Sequence, residues 1–283
     1  MTKDQLPTRP LTRRRALLAG VAAVGAAGSA GLLATVTGNG DEPVRAAPAA
    51  GPQARPALKP SSYRLQPLTG NGPPRAAPRR TLVRRAPLLR VNGRGRTMVL
   101  TFDDGPDPRY TPYILDTLRE YDVRAMFFVC GEMVVDNKDL LARMAEEGHI
   151  VGNHTWSHPL LTRLSHARIR KEMERTSDVV EESYGERPAW FRAPYGAWNR
   201  ATFRLGAELG MEPLAWTVDT LDWTTPGTRT IVDRVEHGAA PGVVILSHDA
   251  GGDRSQSVRA LRTYLPQLLD AGYHVTVPER RYG

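Results

Sequence analysis

The chain has 283 residues, of which 41% are hydrophobic, and this content excludes a fully disordered protein. Charge is divided unevenly: residues 1–96 carry 17 Lys and Arg against 3 Asp and Glu, whereas residues 97–283 carry 21 against 27. The net charge of +8 therefore combines a basic leader of +14 with an acidic remainder of −6. A nucleic-acid-binding protein is not favoured, because the part expected to fold has no basic excess.

Residues 1–46 have the layout of an export signal. Three arginines, Arg13, Arg14 and Arg15, precede an uncharged stretch rich in Ala and Gly at residues 16–37. The twin arginines resemble a bacterial Tat signal, which exports folded proteins. The 22 residues of the stretch are long enough to span a bilayer, but glycines and alanines make a weak anchor. Cleavage after Ala46 and an uncleaved anchor both stay open, and we expect an exported, extracellular or cell-wall-associated protein.

Residues 47–96 are rich in Pro, Ala and Arg and show little apolar periodicity. This composition is typical of an extended, self-repelling linker. One interpretation is a simple spacer between the membrane and the domain that follows. The other is that the basic run at residues 79–90 attracts anionic cell-wall polymers.

From residue 97 onward, short apolar runs alternate with helical segments. The strands are expected, in chain order, at residues 98–102, 125–129, 149–151, 190–192, 213–218, 243–247 and 274–277. The helices are expected at residues 112–120, 138–147, 165–184, 200–209, 230–237 and 255–271. Ser165 and Gly185 are the start and stop signals of the longest helix.

Strict alternation of buried strands and helices predicts an α/β fold with a parallel sheet. About seven units within residues 97–283 favour a single catalytic domain built as a distorted (β/α) barrel of seven or eight units. In such barrels the chemistry lies at the carboxyl ends of the strands. The single cysteine, Cys130, ends an apolar run and is interpreted as a buried small hydrophobe rather than a nucleophile.

Ionisable residues follow several of the predicted strands. Asp103 and Asp104 leave the first strand side by side, and two such carboxylates raise each other's pKa unless a cation intervenes. His154 and His158 form an i, i+4 pair, which on a helical turn would direct both imidazoles to one side. Alone, the first pair would be an Asp-Gly turn and the second a surface pair. Combined with Asp104, the histidines make a three-ligand set with an open position, as in catalytic zinc sites.

His248 also lies at the exit of a predicted strand. It could serve as a fourth metal ligand, as a general acid or as a packing residue. We prefer the acid role, because hydrolysis of an amide requires a proton on the leaving nitrogen.

The ordered motifs resemble those of carbohydrate esterase family 4, the polysaccharide deacetylases with a NodB homology domain. The resemblance spans roughly residues 97–277 and rests on five runs that occur in the family's order. These are TFDDGP at 101–106, HTWSH at 154–158, RAPYG at 192–196, DTLDW at 219–223 and LSH at 246–248.

The resemblance implies a role for each matched residue around the metal. Asp104, His154 and His158 correspond to the metal ligands. Asp103 corresponds to the general base that takes a proton from the attacking water, and Arg192 to the arginine that positions this base. The divalent metal is most simply Zn²⁺, although the same ligands would also accept Co²⁺ or Ni²⁺.

The remaining motifs imply the proton donor and the substrate pocket. His248 corresponds to the general acid and Asp222 to the carboxylate that orients it, with Asp219 a less certain member of that motif. The backbone N–H of Tyr195 corresponds to the oxyanion donor. The residues expected to contact substrate are Pro194, Tyr195, Trp223 and Leu246.

The substrate implied by the family is an acetylated polysaccharide or oligosaccharide. Export and a wall-facing linker favour the N-acetylglucosamine of peptidoglycan, followed by chitin or chitooligosaccharide and then acetylxylan. A different class of function, a non-catalytic glycan-binding module on the same fold, is a remote alternative. Such a module would normally lack a metal ligand or the base, whereas all of them are present here.

Overall fold

The computed structural model describes residues 81–91 and 95–278. The expected export signal or anchor, and the linker up to residue 80, lie outside the described residues. In the described part, no helix combines the length and the apolar character needed to cross a membrane.

In the part of the chain that the structure describes, eight parallel strands form one sheet. They are β1 (Thr97–Asp103), β2 (Met126–Val129), β3 (Ile150–Asn153), β4 (Trp190–Phe191), β5 (Glu212–Pro213), β6 (Val218–Asp219), β7 (Val244–His248) and β8 (His274–Val275). Seven of them follow the order β5-β4-β3-β2-β1-β7-β6, and β8 pairs with the start of β1. The sheet curls into a distorted barrel covered by helices, so the α/β barrel expected from the sequence is confirmed.

Seven α-helices connect the strands within the described residues. They are α1 (Thr111–Glu120), α2 (Gly131–Val135), α3 (Lys138–Glu146), α4 (His166–Tyr184), α5 (Arg200–Glu208), α6 (Thr228–Gly238) and α7 (Ser255–Asp270). Six of them lie where the sequence predicted a helix, and the short α2 was not predicted. The Ser165 hydroxyl caps α4, and Gly185 ends it with a φ of 95°, a left-handed conformation that favours glycine.

Strand β1 lies at the centre of the core. All seven of its residues are buried, and Phe102 stacks on Phe127 of β2 with 5.2 Å between ring centroids. Cys130 is 4% exposed, as the apolar run before it predicts. Burial of a side chain such as that of Phe102 stabilises the folded state by about 2 kcal/mol. The central strand therefore holds Asp103 and Asp104 in place at its carboxyl end.

The prediction of one strand at residues 213–218 is wrong. The segment instead contributes β5 to one edge of the sheet and β6 to the other. Leu214 N–H donates to Phe191 O, whereas Thr217 N–H donates to Val244 O. The segment is apolar because its two ends are buried at opposite edges of the sheet, not because it pairs continuously with one neighbouring strand. Residues 214–217 thus bridge the two edges, and no β5–β6 pairing occurs among the described residues.

Part of the expected linker belongs to the folded domain. Leu88 N–H donates to Pro213 O at 2.9 Å, and Ala215 N–H donates to Leu88 O at 2.8 Å. Val91 N–H donates to Gly242 O at 3.0 Å. The domain therefore begins before the boundary expected at residue 97, because these backbone groups complete the pairing of the crossing segment.

We predict that a chain beginning at residue 95 is less stable than one beginning at residue 81. Residue 95 is chosen because Arg96 O accepts a hydrogen bond from His274 N–H and must be kept. Three lost backbone hydrogen bonds at about 1 kcal/mol each predict a free energy of unfolding lower by about 3 kcal/mol. Urea denaturation measures this difference, and equal midpoints with equal slopes would contradict it.

Candidate active site

The loops at the carboxyl ends of the strands surround a cleft of about 710 Å³. Most of the residues predicted to form the site line it, namely Asp103, Asp104, His154, His158, Tyr195, Trp223, Leu246 and His248, together with Asp219. Three predicted residues do not line the cleft. Arg192 and Asp222 are buried and contact Asp103 and His248, whereas Pro194 is buried inside a 3₁₀ turn.

Asp104, His154 and His158 form a cluster suited to a metal ion. The Asp104 Oδ1 atom lies 3.4 Å from His158 Nε2 and 3.6 Å from His154 Nε2. This oxygen is buried and has no hydrogen-bond partner among the described residues. Ligands held about 2.0 to 2.1 Å from a tetrahedral ion lie about 3.4 Å from one another. The three side chains therefore fit a divalent metal, which would satisfy the unpaired oxygen.

The hydrogen bonds of His154 prepare it to be a ligand. Its Nδ1 lies 2.8 Å from Arg192 O, and a carbonyl oxygen only accepts, so Nδ1 carries the proton. The lone pair of Nε2 then faces Asp104. Burial lowers the pKa of His154 to about 3, outweighing the opposite effect of Asp104. The imidazole is consequently neutral at physiological pH, as metal binding requires.

The expectation that His154 and His158 share a helical turn is wrong. They lie in a loop after β3, in which Thr155 and His158 adopt positive φ values of 71° and 53°. Asn153 Oδ1 accepts the Thr155 N–H at 2.8 Å, and Glu172 of α4 accepts two further loop N–H groups at 3.0 and 2.9 Å. These side chains stabilise the strained loop, which directs both imidazoles towards Asp104.

Asp103 faces a buried cation. Its Oδ1 accepts a hydrogen bond from Arg192 Nη1 at 2.6 Å, and its Oδ2 lies 3.6 Å from His154 Nε2. Burial raises the pKa of Asp103 above its ordinary value, although Arg192 counteracts part of that shift. Burial thus makes the Asp103 carboxylate more basic, while the paired guanidinium favours its charged form, and the side chain lines the cleft beside the candidate metal ligands.

His248 is paired with a buried carboxylate. Its Nδ1 lies 2.7 Å from Asp222 Oδ1, and its backbone N–H donates to Asp222 Oδ2 at 2.9 Å. Ser257 Oγ also donates to Asp222 Oδ2, at 2.6 Å. Burial lowers the pKa of His248, but Asp222 outweighs it and raises the pKa to about 9. His248 is therefore protonated at neutral pH and can donate a proton into the cleft.

Tyr195 and Trp223 form exposed walls of the cleft. Tyr195 has a φ of 61°, and its ring packs edge-on against His158 with 4.6 Å between centroids. Tyr195 and Trp223 are 67% and 56% exposed, whereas Leu246 is buried. Exposed aromatic rings beside a buried apolar contact suit a sugar ring that carries a small acyl group.

Sequence reasoning missed several residues that line the cleft. They are Cys130, Glu132, Met133, Ala193, Gly196, Trp216, Gly251 and Arg254. Glu132 and Met133 follow β2, so their position at a strand exit was the signal that could have found them. Trp216 lies in the crossing segment, which the sequence pattern presented as strand.

Asp249 supports the turn that carries Asp104. Its Oδ1 accepts the Gly105 N–H at 3.1 Å, and its Oδ2 accepts the Thr111 hydroxyl at 2.6 Å. Burial raises the pKa of Asp249 to about 7. A Cβ atom at position 105 would lie 2.1 Å from Asp249 Oδ2, which explains the glycine there.

Comparison with known proteins identifies the family. A sequence model described as polysaccharide deacetylase matches residues 90–214. A chitooligosaccharide deacetylase of Rhizobium leguminosarum bv. trifolii is 36% identical over 206 residues, covering 69% of this chain and 96% of the relative. A peptidoglycan-N-acetylglucosamine deacetylase of Bacillus cereus is 40% identical over 187 residues, covering 65% and 87%.

A solved structure leads to the same family. The Bc1960 peptidoglycan N-acetylglucosamine deacetylase, bound to a hydroxamate-type benzamide, superposes with a TM-score of 0.64 at 35% identity. The match covers 68% of this chain and 94% of the solved one. The chain therefore belongs to the polysaccharide deacetylase family, a class of hydrolases, and the resemblance noted in its sequence is confirmed.

We predict that His154→Ala abolishes metal binding. The substitution removes one of three ligands. Loss of a residue that only hydrogen-bonds a ligand typically lowers metal affinity by about 10- to 100-fold, and loss of the ligand itself lowers it far more. Bound metal, measured by elemental analysis after dialysis against zinc, should fall from about one ion per chain to less than about a tenth. His166→Ala, an exposed histidine on α4, is the control and should bind normally. Full occupancy in His154→Ala would remove His154 from the ligand set.

We predict that Asp222→Asn shifts the alkaline limb of the activity profile to lower pH. Asp222 raises the pKa of His248, so loss of its charge lowers that pKa and depletes the protonated acid as pH rises. A shift of about 1 to 3 units is expected for a lost partner charge. The control is Ser257→Ala, which keeps the carboxylate and should move the limb little. An unmoved limb in Asp222→Asn would contradict the pairing.

Proposed function

We propose that this protein is an exported, metal-dependent deacetylase that removes N-acetyl groups from cell-wall glycan, with N-acetylglucosamine of peptidoglycan as the favoured substrate. The observation that carries the proposal is the presence of three kinds of group in one cleft. They are a three-residue cluster suited to a metal, a buried carboxylate paired with an arginine, and a histidine whose pKa is raised to about 9.

The cleft residues account for hydrolysis of an amide. Asp103 takes a proton from the attacking water as the oxygen of that water bonds to the acetyl carbon. The backbone N–H of Tyr195 donates to the carbonyl oxygen as negative charge develops, a contact worth about 3 kcal/mol in comparable sites. His248 then donates its proton to the sugar nitrogen as the carbon–nitrogen bond breaks. The products are acetate and the free sugar amine.

The metal would be held by Asp104, His154 and His158. When bound, a divalent ion makes water more acidic and polarises the acetyl carbonyl. Two imidazoles and one carboxylate are typical of zinc, which we propose as the metal, while Co²⁺ and Ni²⁺ suit the same donors.

Two features support a polymeric wall substrate. The cleft is open, with Tyr195 and Trp223 exposed at its edge, so a sugar within a chain has access. The arginine-led segment at residues 13–37 is typical of export, and we propose that the enzyme acts outside the cell. Chitooligosaccharide is the second candidate, because two relatives are named chitooligosaccharide deacetylases.

The proposal is tested by acetate release from four substrates. The zinc-loaded protein is incubated with peptidoglycan, chitooligosaccharide, chitin and acetylxylan, and kcat/KM is compared. We expect the highest value on peptidoglycan. Asp103→Asn should retain its metal but lose about 10²- to 10⁴-fold in kcat, since the base is removed without touching a ligand.

Each alternative gives a different result. A higher value on chitooligosaccharide would move the substrate to the second candidate, and release from acetylxylan alone would replace an amide by an ester. An unchanged kcat in Asp103→Asn would contradict the assignment of Asp103 as the base. Glycan binding without metal or acetate release would indicate a non-catalytic module.

A further inference from the structure

A second cavity of about 830 Å³ lies outside the active-site cleft. Its walls come from residues 83–85 and from the start of α5. We call it the arginine groove, and its main lining residues are Arg84, Arg85, Arg200, Arg204, Trp198 and Phe203. None of these residues lines the catalytic cleft.

The groove concentrates positive charge without matching acids. Arg84 pairs with Glu212, but Arg85, Arg200 and Arg204 are exposed and form no salt bridge among the described residues. The neighbouring acid of α5, Glu208, is already paired with Arg170 of α4. The three guanidinium groups are therefore available to an anion from solution.

This charge is not a by-product of a basic domain or of helix stability. Residues 81–283, which include every arginine of the groove, carry 26 Lys and Arg against 27 Asp and Glu, so a basic excess of this part of the chain does not explain the cluster. The first turn of α5 contains Arg200 and no acidic residue, although a cation at a helix N-terminus is unfavourable. Arg204 follows at i+4, a spacing at which like charges repel. A bound anion would relieve both repulsions.

Aromatic rings complete the groove. Trp198 and Phe203 stack with 5.3 Å between centroids and 11° between planes, and Trp198 is braced edge-on by Phe191. A fixed aromatic surface beside guanidinium groups suits a chain in which sugar or polyol units alternate with anionic groups. Gly196, two residues before Trp198, lines the catalytic cleft, so the two sites adjoin along the chain.

We propose that the arginine groove binds the phosphate groups of an anionic glycan of the cell wall and so holds the enzyme at its substrate. Arg200 and Arg204 lie about 6 Å apart along the axis of α5, which suits successive charges of a polymer. A tetrahedral phosphate offers oxygens to several guanidinium groups at once, and arginine binds phosphate through paired hydrogen bonds. Binding does not depend on the catalytic residues, so it can be tested separately from deacetylation.

The test is cosedimentation of the full chain with peptidoglycan sacculi at several salt concentrations. Sacculi that keep their phosphate polymers are compared with the same sacculi stripped by hydrofluoric acid. Arg200→Gln/Arg204→Gln should bind unstripped sacculi about tenfold more weakly, as expected for two lost exposed charge contacts. Asp103→Asn, inactive as a deacetylase, should bind normally. Arg259→Gln/Arg262→Gln removes two exposed arginines of α7 and is the charge-matched control.

Several results would overturn the proposal. They are equal binding by Arg200→Gln/Arg204→Gln and wild type, equal losses in both double variants, and undiminished binding to stripped sacculi. Acetate release from a short soluble chitooligosaccharide should be unchanged in Arg200→Gln/Arg204→Gln. If that variant folds poorly, Arg85→Gln, outside α5, must weaken binding by itself. Stronger competition by polygalacturonate or single-stranded DNA than by poly(glycerol phosphate) would also reject a phosphate-bearing glycan.

Discussion

The buried ion pair between Arg192 and Asp103 is the interaction on which the rest of the domain depends. The Arg192 side chain is fully buried, and desolvation of a cation costs several kcal/mol unless it is paired and hydrogen-bonded. Its donors reach Asp103, the Thr101 hydroxyl and the carbonyl oxygens of Leu214 and Ala215. One side chain thus joins the central strand to the segment that bridges the open edges of the barrel. The same pair fixes Asp103 at the carboxyl end of β1, where the carboxylate proposed as the base lines the cleft.

The same arginine separates the roles of the two adjacent aspartates. Its guanidinium binds Asp103, while its backbone oxygen accepts the Nδ1 proton of His154 and turns Nε2 towards Asp104. Asp104, with a φ of 77°, directs its side chain away from the arginine and towards the histidines. A carboxylate that bound both the arginine and a metal would be a weak base. Division of the pair leaves Asp103 for the proposed role of base and Asp104 for the proposed role of metal ligand.

The sequence predicted the features that repeat along the chain and missed those that depend on distant partners. Alternating apolar runs located the sheet, and polar residues at strand exits located most of the cleft. Two-residue strands such as β5 and β6 have no periodicity of their own, so the run at 213–218 was read as one strand. The loop between His154 and His158 depends on Glu172, a residue of another element. The arginine groove likewise joins residues 84–85 to α5, more than 100 positions later in the chain.

The two histidines on opposite sides of the cleft illustrate how environment, not residue type, assigns chemistry. His154 is buried and His248 is partly buried, and the loss of solvent disfavours the imidazolium in each. His154 hydrogen-bonds a neutral carbonyl oxygen and has its pKa lowered to about 3, whereas Asp222 raises the pKa of His248 to about 9. At neutral pH one therefore offers a lone pair and the other a proton. The motifs supply the two imidazole rings, and the acceptor that each ring faces, Arg192 O or Asp222 Oδ1, determines its charge. Exchange of these two acceptors would therefore exchange the protonation states of the two histidines.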